Sequence, residues 1–272
     1  MGGSPSGQSA WRRVAAILLG GVAAHAGAAQ SGSGAEVFAR ACAGCHGSES
    51  AIAAPHPEAL RLMSARSIEG ALATGRMKAQ GSALSREERV AVAQYLGIAE
   101  SELAIPKAAY CQAPAVQARA DSGDADWSGW GAGAHNRRFQ PEALAGLRAA
   151  DVPGLKLKWA FGLPGVATAN AQPTVHAGRL FVASAVGVVY ALDARSGCIH
   201  WTFQADDAVR TAIVIAGEGG RLAVFGDLGG TAYAIDVRQG TLLWKVRVDD
   251  HPDANIVGSP ATAGDLAYFP VT

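Results

Sequence analysis

The spacing of apolar positions changes twice along the chain. From Val14 to Ala24 they run almost unbroken, VAAILLGGVAA, behind Arg12-Arg13 and ahead of small residues ending at Ala28-Ala29-Gln30. A basic start, a short apolar stretch and small residues at a cut site predict a secretory signal peptide over residues 1–29. The stretch is short for a bilayer span, and no second long apolar run follows. The mature protein is therefore expected to be exported, soluble and in an oxidising compartment, with no stable membrane span. The arginine pair could also open a twin-arginine signal, but its neighbours favour ordinary export. Residues 30–105 are Ala-rich with helical spacing. There Val92, Tyr95 and Leu96 make one apolar face behind a capping box, Ser85-x-x-Glu88, and predict an amphipathic helix. Residues 106–150 are polar and loop-like, and residues 151–272 carry short alternating runs that predict strands.

Composition narrows the function classes. Lys+Arg and Asp+Glu each number 23, for a net charge of +0. This argues against a nucleic-acid binder, because neutralising phosphates needs a basic excess. Charged residues are 17% and hydrophobic residues 49%, enough for buried cores. Gly supplies 34 of 272 residues, which suits many tight turns.

The strand-like zone repeats. Ala191-Leu192-Asp193-xxx-Gly197-xxx-Trp201 returns as Ala234-Ile235-Asp236-xxx-Gly240-xxx-Trp244, 43 residues on. Trp159 stands 42 residues before Trp201, ending an earlier unit in LKLKW, and another unit opens at Ser259-Pro260-Ala261-Thr262. A repeat of this size with about four strands reads as a propeller blade, and no helical period supports a solenoid. The Asp can accept N–H groups of the turn after it, the Gly can close that turn, and the Trp can pack on a neighbouring blade. Residues 151–272 hold just under three such units, fewer than the roughly four blades that closure needs. The chain is therefore expected to be a fragment of a longer protein. The fold class is an all-α domain followed by all-β propeller blades.

The most specific motif lies in the helical zone. Cys42-Ala43-Gly44-Cys45-His46 is CxxCH, the pattern that attaches haem c through two thioethers and presents the His to the iron. A redox CxxC would want a βαβ context and a zinc half-site a second ligand pair, and neither is visible. The two remaining cysteines, Cys111 and Cys198, are expected to pair in an oxidising compartment, the alternative being two buried thiols. Asp249, Asp250, His251 and Asp253 read as a solvated loop between blades, the alternative being a metal role, and Asp121, Asp124 and Asp126 as a flexible, polar linker.

Residues 34–97 resemble the small monohaem cytochromes c. Phe38 and Gly34 stand one and two turns before Cys42, where that family crosses its first and last helices through a glycine–aromatic contact. The resemblance implies that Met77, in Gly75-Arg76-Met77, is the axial ligand opposite His46, with Met63 as runner-up and His56 as a bis-histidine alternative. Core filling is the other use of either methionine.

The repeat resembles the tryptophan-docking motif of quinoprotein dehydrogenases, eight-bladed propellers that bind pyrroloquinoline quinone (PQQ). Trp127, Trp130, Gly131, Asn136, Arg138 and Phe139 resemble the segment leading into that family's first blade. A cytochrome c followed by such a propeller is similar to the polyvinyl-alcohol dehydrogenase (cytochrome) group. The resemblance implies an incomplete eight-bladed propeller and a periplasmic enzyme. It implies that PQQ and calcium oxidise a small or polymeric alcohol and that electrons leave through the haem to an acceptor such as another cytochrome. It also implies that Arg210, at the start of an innermost strand, faces the quinone carboxylates. No catalytic base or calcium ligand is assigned. The other function class is a cytochrome fused to a propeller that binds no quinone. A haem-d1 nitrite reductase also joins these folds, and the tryptophan repeat argues against it.

Overall fold

The computed structural model describes residues 32–47, 54–73, 75–112, 126–127, 131, 137–166, 169–251 and 253–272. The expected signal peptide, together with Asp121, Asp124, Trp130 and Asn136, lies outside them.

Among the described residues, six α-helices build the first region: α1 (Gly34–Ala41), α2 (Ala43–His46), α3 (Pro57–Leu60), α4 (Ala65–Ala73), α5 (Lys78–Gly81) and α6 (Arg86–Leu96). Ser33 and Ser85 start α1 and α6 with reciprocal capping boxes to Glu36 and Glu88, satisfying N–H groups that a helix start leaves open. The two helices cross at Gly34, where a Cβ would run into the Ala91 carbonyl and come within 2.6 Å of the Tyr95 Cβ. Phe38 and Tyr95 close the crossing, with ring centroids 6.1 Å apart. Val37, Ile68, Leu72, Val92 and Leu96 are buried behind it.

The second region is built from antiparallel strands. β1 (Thr174–His176), β2 (Arg179–Ala183), β3 (Val188–Asp193) and β4 (Ile199–Gln204) form one four-stranded sheet in chain order. β5 (Val214–Ala216), β6 (Leu222–Gly226), β7 (Thr231–Asp236) and β8 (Leu242–Arg247) form a second, and β9 (Ala261–Ala263) pairs with β10 (Leu266–Tyr268). Up-and-down sheets of four strands, repeated, are propeller blades. Both complete sheets shift register at the same place, between Ala191 and Leu192 and between Ala234 and Ile235.

The repeat residues explain the joint between sheets. Asp193 accepts from the N–H groups of Arg195 and Ser196, and Asp236 from those of Arg238 and Gln239. Gly197 and Gly240 take φ of 76° and 69°, left-handed values that suit glycine. Trp201 crosses to the second sheet, donates its indole N–H to the Val237 carbonyl at 3.1 Å, and covers Gly240. Trp159 does the same one unit earlier, bonding the Ala194 carbonyl and covering Gly197. Residues 155–163 form no ladder among the described residues, yet Trp159 still docks. Indole docking needs only a socket, whereas a strand needs a paired neighbour.

Residues 98–111 join the regions. The Ile98 N–H bonds the Met63 carbonyl, and its own carbonyl accepts from Ala65. The Ile98 side chain, with Leu103 and Ile105, packs on the first sheet's Val186, Tyr190 and Ile199 cluster. Cys111 then donates its N–H to Ile199, and its Sγ lies 1.99 Å from that of Cys198. Asp126 is not part of a free linker as expected. It lies 2.7 Å from the His176 ring nitrogen and accepts from the Ala177 N–H, while Trp127 pairs with Val175 on β1.

Candidate functional site

His46, at the end of α2, is 9% exposed. Its Nδ1 lies 2.8 Å from the Pro55 carbonyl. A carbonyl only accepts, so Nδ1 is the donor, and in the neutral ring this makes Nε2 the nitrogen whose lone pair can meet a metal. Beside it opens an apolar pocket, partly open to solvent, whose lining includes Cys42, Leu60, Ile68, Leu72 and Val92. Met63 and Met77 both line it as well. Cys42 is partly buried and Cys45 exposed, both as free thiols. Burial, and then neighbouring Cys45, push the Cys42 thiol up.

These residues fit a haem c. Cys42 lines an apolar slot with Cys45 three residues on, His46 presents its ring to the same slot, and the thioethers of Met63 and Met77 lie on its lining. Met77 begins α5, and its N–H bonds the Ala71 carbonyl of α4. Met63 precedes α4 and is fixed through Ile98. His56 begins α3 and is not among the pocket residues.

Arg210 does not begin a strand. β5 starts at Val214, and Arg210 is exposed on the preceding loop. That loop is held by side chains instead: Thr211 Oγ1 shares hydrogen bonds with the Gly226 backbone, and Ser259 accepts from the Ala212 N–H. No cluster of three or more His, Cys, Asp or Glu suited to a metal ion occurs among the described residues.

One buried acid escaped sequence reasoning. Asp227 is fully buried at the β6–β7 turn, accepting from Tyr233 Oη at 2.7 Å and the Thr231 N–H at 2.9 Å. Burial pushes its carboxyl up to about 6 against those bonds, helped by Asp207 nearby. Ser184 occupies the matching turn of the first sheet, its Oγ accepting from Val188. The only available signal was that both positions fall 43 residues apart in the repeat.

Residues 120–272 match the profile of a family described as outer membrane protein assembly factor BamB. The chain belongs to that family. Residues 29–96 match the profile described as cytochrome c oxidase, cbb3-type, subunit III, so a cytochrome c domain precedes the BamB-like repeats. A polyvinylalcohol dehydrogenase of Pseudomonas sp is 50% identical over 103 residues, 36% of this chain and 16% of the relative. Another, from Sphingopyxis sp., is 34% identical over 211 residues, 71% of this chain and 31% of the relative. The matched parts thus span less than a third of either relative's length. The quinohemoprotein alcohol dehydrogenase of Comamonas testosteroni superposes with a TM-score of 0.42 at 23% identity, over 50% of this chain and 22% of that one. No described helix is long and apolar enough to cross a membrane.

Proposed function

We propose that the helical region is an electron-transfer cytochrome carrying one haem c, thioether-linked to Cys42 and Cys45, with His46 and Met77 on the iron. We further propose that it serves a periplasmic, PQQ-dependent dehydrogenase acting on a small or polymeric alcohol, with these sheets part of an eight-bladed propeller. The observation that carries the first reading is the His46 Nδ1–Pro55 contact beside an apolar pocket lined by Cys42 and Met77. When bound, the haem supplies a one-electron carrier. The chain's own residues do the rest: Pro55 fixes the His46 tautomer, and the apolar walls keep water from the metal. Exclusion of water and a soft thioether both favour the reduced state. Support for alcohol oxidation comes from the names of the two dehydrogenase relatives, so no step through PQQ or calcium is assigned to the described residues. Export is supported by the basic and apolar start of the sequence.

The ligand test uses the haem-loaded chain. Oxidised protein should show the weak near-infrared band of methionine on ferric haem. Met77→Ala should remove it and lower the reduction potential, while Met63→Ala should change neither. The reverse pattern would transfer the ligand role to Met63, and absence of the band in the unaltered protein would turn attention to His56. A second reading, a haem carrier on a non-catalytic propeller, is favoured by the family's description as an assembly factor. Haem reduction by a secondary alcohol, after PQQ and calcium are added to the whole protein, separates the two.

A further inference from the structure

Helix α4 forms one wall of the haem pocket through Ile68, Ala71 and Leu72. It also carries the Met77 loop, because Gly75 and Met77 donate back to the Gly70 and Ala71 carbonyls at 3.0 and 2.9 Å. The sheet region touches both ends of this element. At the start, Ser64 Oγ accepts from the Ser67 N–H and donates to Ser67 Oγ at 3.0 Å. Both serines are 2% exposed. Ser67 in turn hydrogen-bonds the side chain of Asp207, on the β4–β5 loop. At the far end, Arg76 Nε lies 3.3 Å from Asp253 Oδ1, on the β8–β9 loop.

The receiving loops are themselves fixed. The Asp207 N–H donates to buried Asp227, the Ala208 N–H donates to Asp207 Oδ1, and Leu228 bonds the Ala208 carbonyl. Asp253 sits in a loop whose His251 carbonyl accepts from Arg247. A buried serine handing its hydroxyl proton to a carboxylate is a charge-assisted bond of the stronger kind, whereas the exposed Arg76–Asp253 pair is weak alone. Together they hold α4 at its first turn and just past its last.

We propose that Ser67 and Arg76 are positioning residues for the sixth haem ligand: Asp207 and Asp253 hold α4 and the Met77 loop, and so decide how firmly Met77 stays on the iron. The inference rests on Met77 as that ligand. A methionine–iron bond competes with any free ligand that can enter the pocket, so the hold on the loop is read as the apparent affinity of ferric haem for imidazole.

The experiment uses the haem-loaded full chain. Ser67→Ala removes the bond to Asp207 without changing charge, and should raise imidazole affinity about tenfold, the size of one lost charge-assisted hydrogen bond. Its near-infrared band should fade at a lower temperature and its potential should fall. Arg76→Gln and Asp253→Asn should each raise affinity about twofold, consistent with an exposed pair. Ser85→Ala, which uncaps α6 away from this contact, should leave affinity unchanged. If it raises affinity as much as Ser67→Ala, general loosening is at work and the proposal is overturned. It is also overturned if Met77→Ala abolishes the band while the Ser67, Arg76 and Asp253 variants all bind imidazole as the unaltered protein does. If Met77→Ala leaves the band intact, the ligand assignment falls and this proposal with it. Should Ser67→Ala fail to fold, the two exposed variants decide alone, and unchanged affinity in both overturns the proposal.

Discussion

Ile68, Leu72, Val92 and Leu96 line a space that no side chain of the helical region fills. In the sheets, Phe225 stacks on Tyr233 at 5.0 Å, Phe203 meets both edge-on, and Phe181 meets Trp201. The helical region thus leaves its packing to a prosthetic group, while each sheet completes the core of the next. Interiors pack at crystal-like density, so the two regions should respond very differently to loss of haem and to loss of one repeat residue.

The largest contrast should appear when haem attachment is blocked. Cys42→Ala with Cys45→Ala should leave an open apolar pocket in a core too small to stand it. Amide exchange in α1, α4 and α6 should speed up on the order of 1,000-fold, equivalent to ~4 kcal/mol. Amides of β2, β3, β6 and β7 should change by less than about tenfold. Equal loss in both regions would show that they unfold as one body.

Next is the joint between sheets. Trp201→Ala should cost about 3–5 kcal/mol in denaturant unfolding of the strands, as for other buried aromatic truncations. Gly240→Ala should cost about 1–3 kcal/mol, since its Cβ would stand 2.5 Å from the Trp201 ring at a positive φ. Neither should alter the haem spectrum. A Trp201→Ala cost below about 1 kcal/mol would deny that the indole links the sheets.

The smallest contrast is a dependence on pH. Asp227 has its carboxyl raised to about 6 in the folded protein, against about 3.9 when unfolded. Its ionisation therefore opposes folding: the unfavourable contribution is absent below about pH 4, develops through pH 6 and is complete above it. Asp227→Asn, a neutral mimic, should gain roughly 2–3 kcal/mol on the unaltered protein between pH 4 and pH 7.5. The two stabilities should be compared by urea unfolding across that range. A constant difference would mean that Asp227 is already ionised at low pH in the folded state.

Local spacing made much of this legible. Cys42, Cys45 and His46 fall within one helical turn, and Ser85 and Glu88 within another, so adjacent letters carry their geometry. The blade repeat was legible because Asp193, Gly197 and Trp201 recur with their turn. What stayed hidden depends on which distant loops meet. Nothing near Ser67 or Arg76 announces Asp207 or Asp253, and the acidic stretch around Asp253 reads as plain solvated surface. Arg210 was misplaced because its loop is held by Thr211 and Ser259 rather than by ladder bonds, so the strand begins later than its apolar run suggests. Asp126 looked like linker because its partner His176 lies on a strand far along the chain.

The tryptophan joint also gives the sheets a direction. Trp159 precedes the turn at Gly197 that receives it, and Trp201 precedes the turn at Gly240. During synthesis the plug is always made before its socket. A newly formed sheet therefore waits with its indole bare until the next turn emerges, and assembly runs from the amino terminus forward like a zip with its slider at the growing end. The vulnerable moment for such a chain is the pause between one turn and the next, when a single exposed indole is what a chaperone or a neighbouring chain would find.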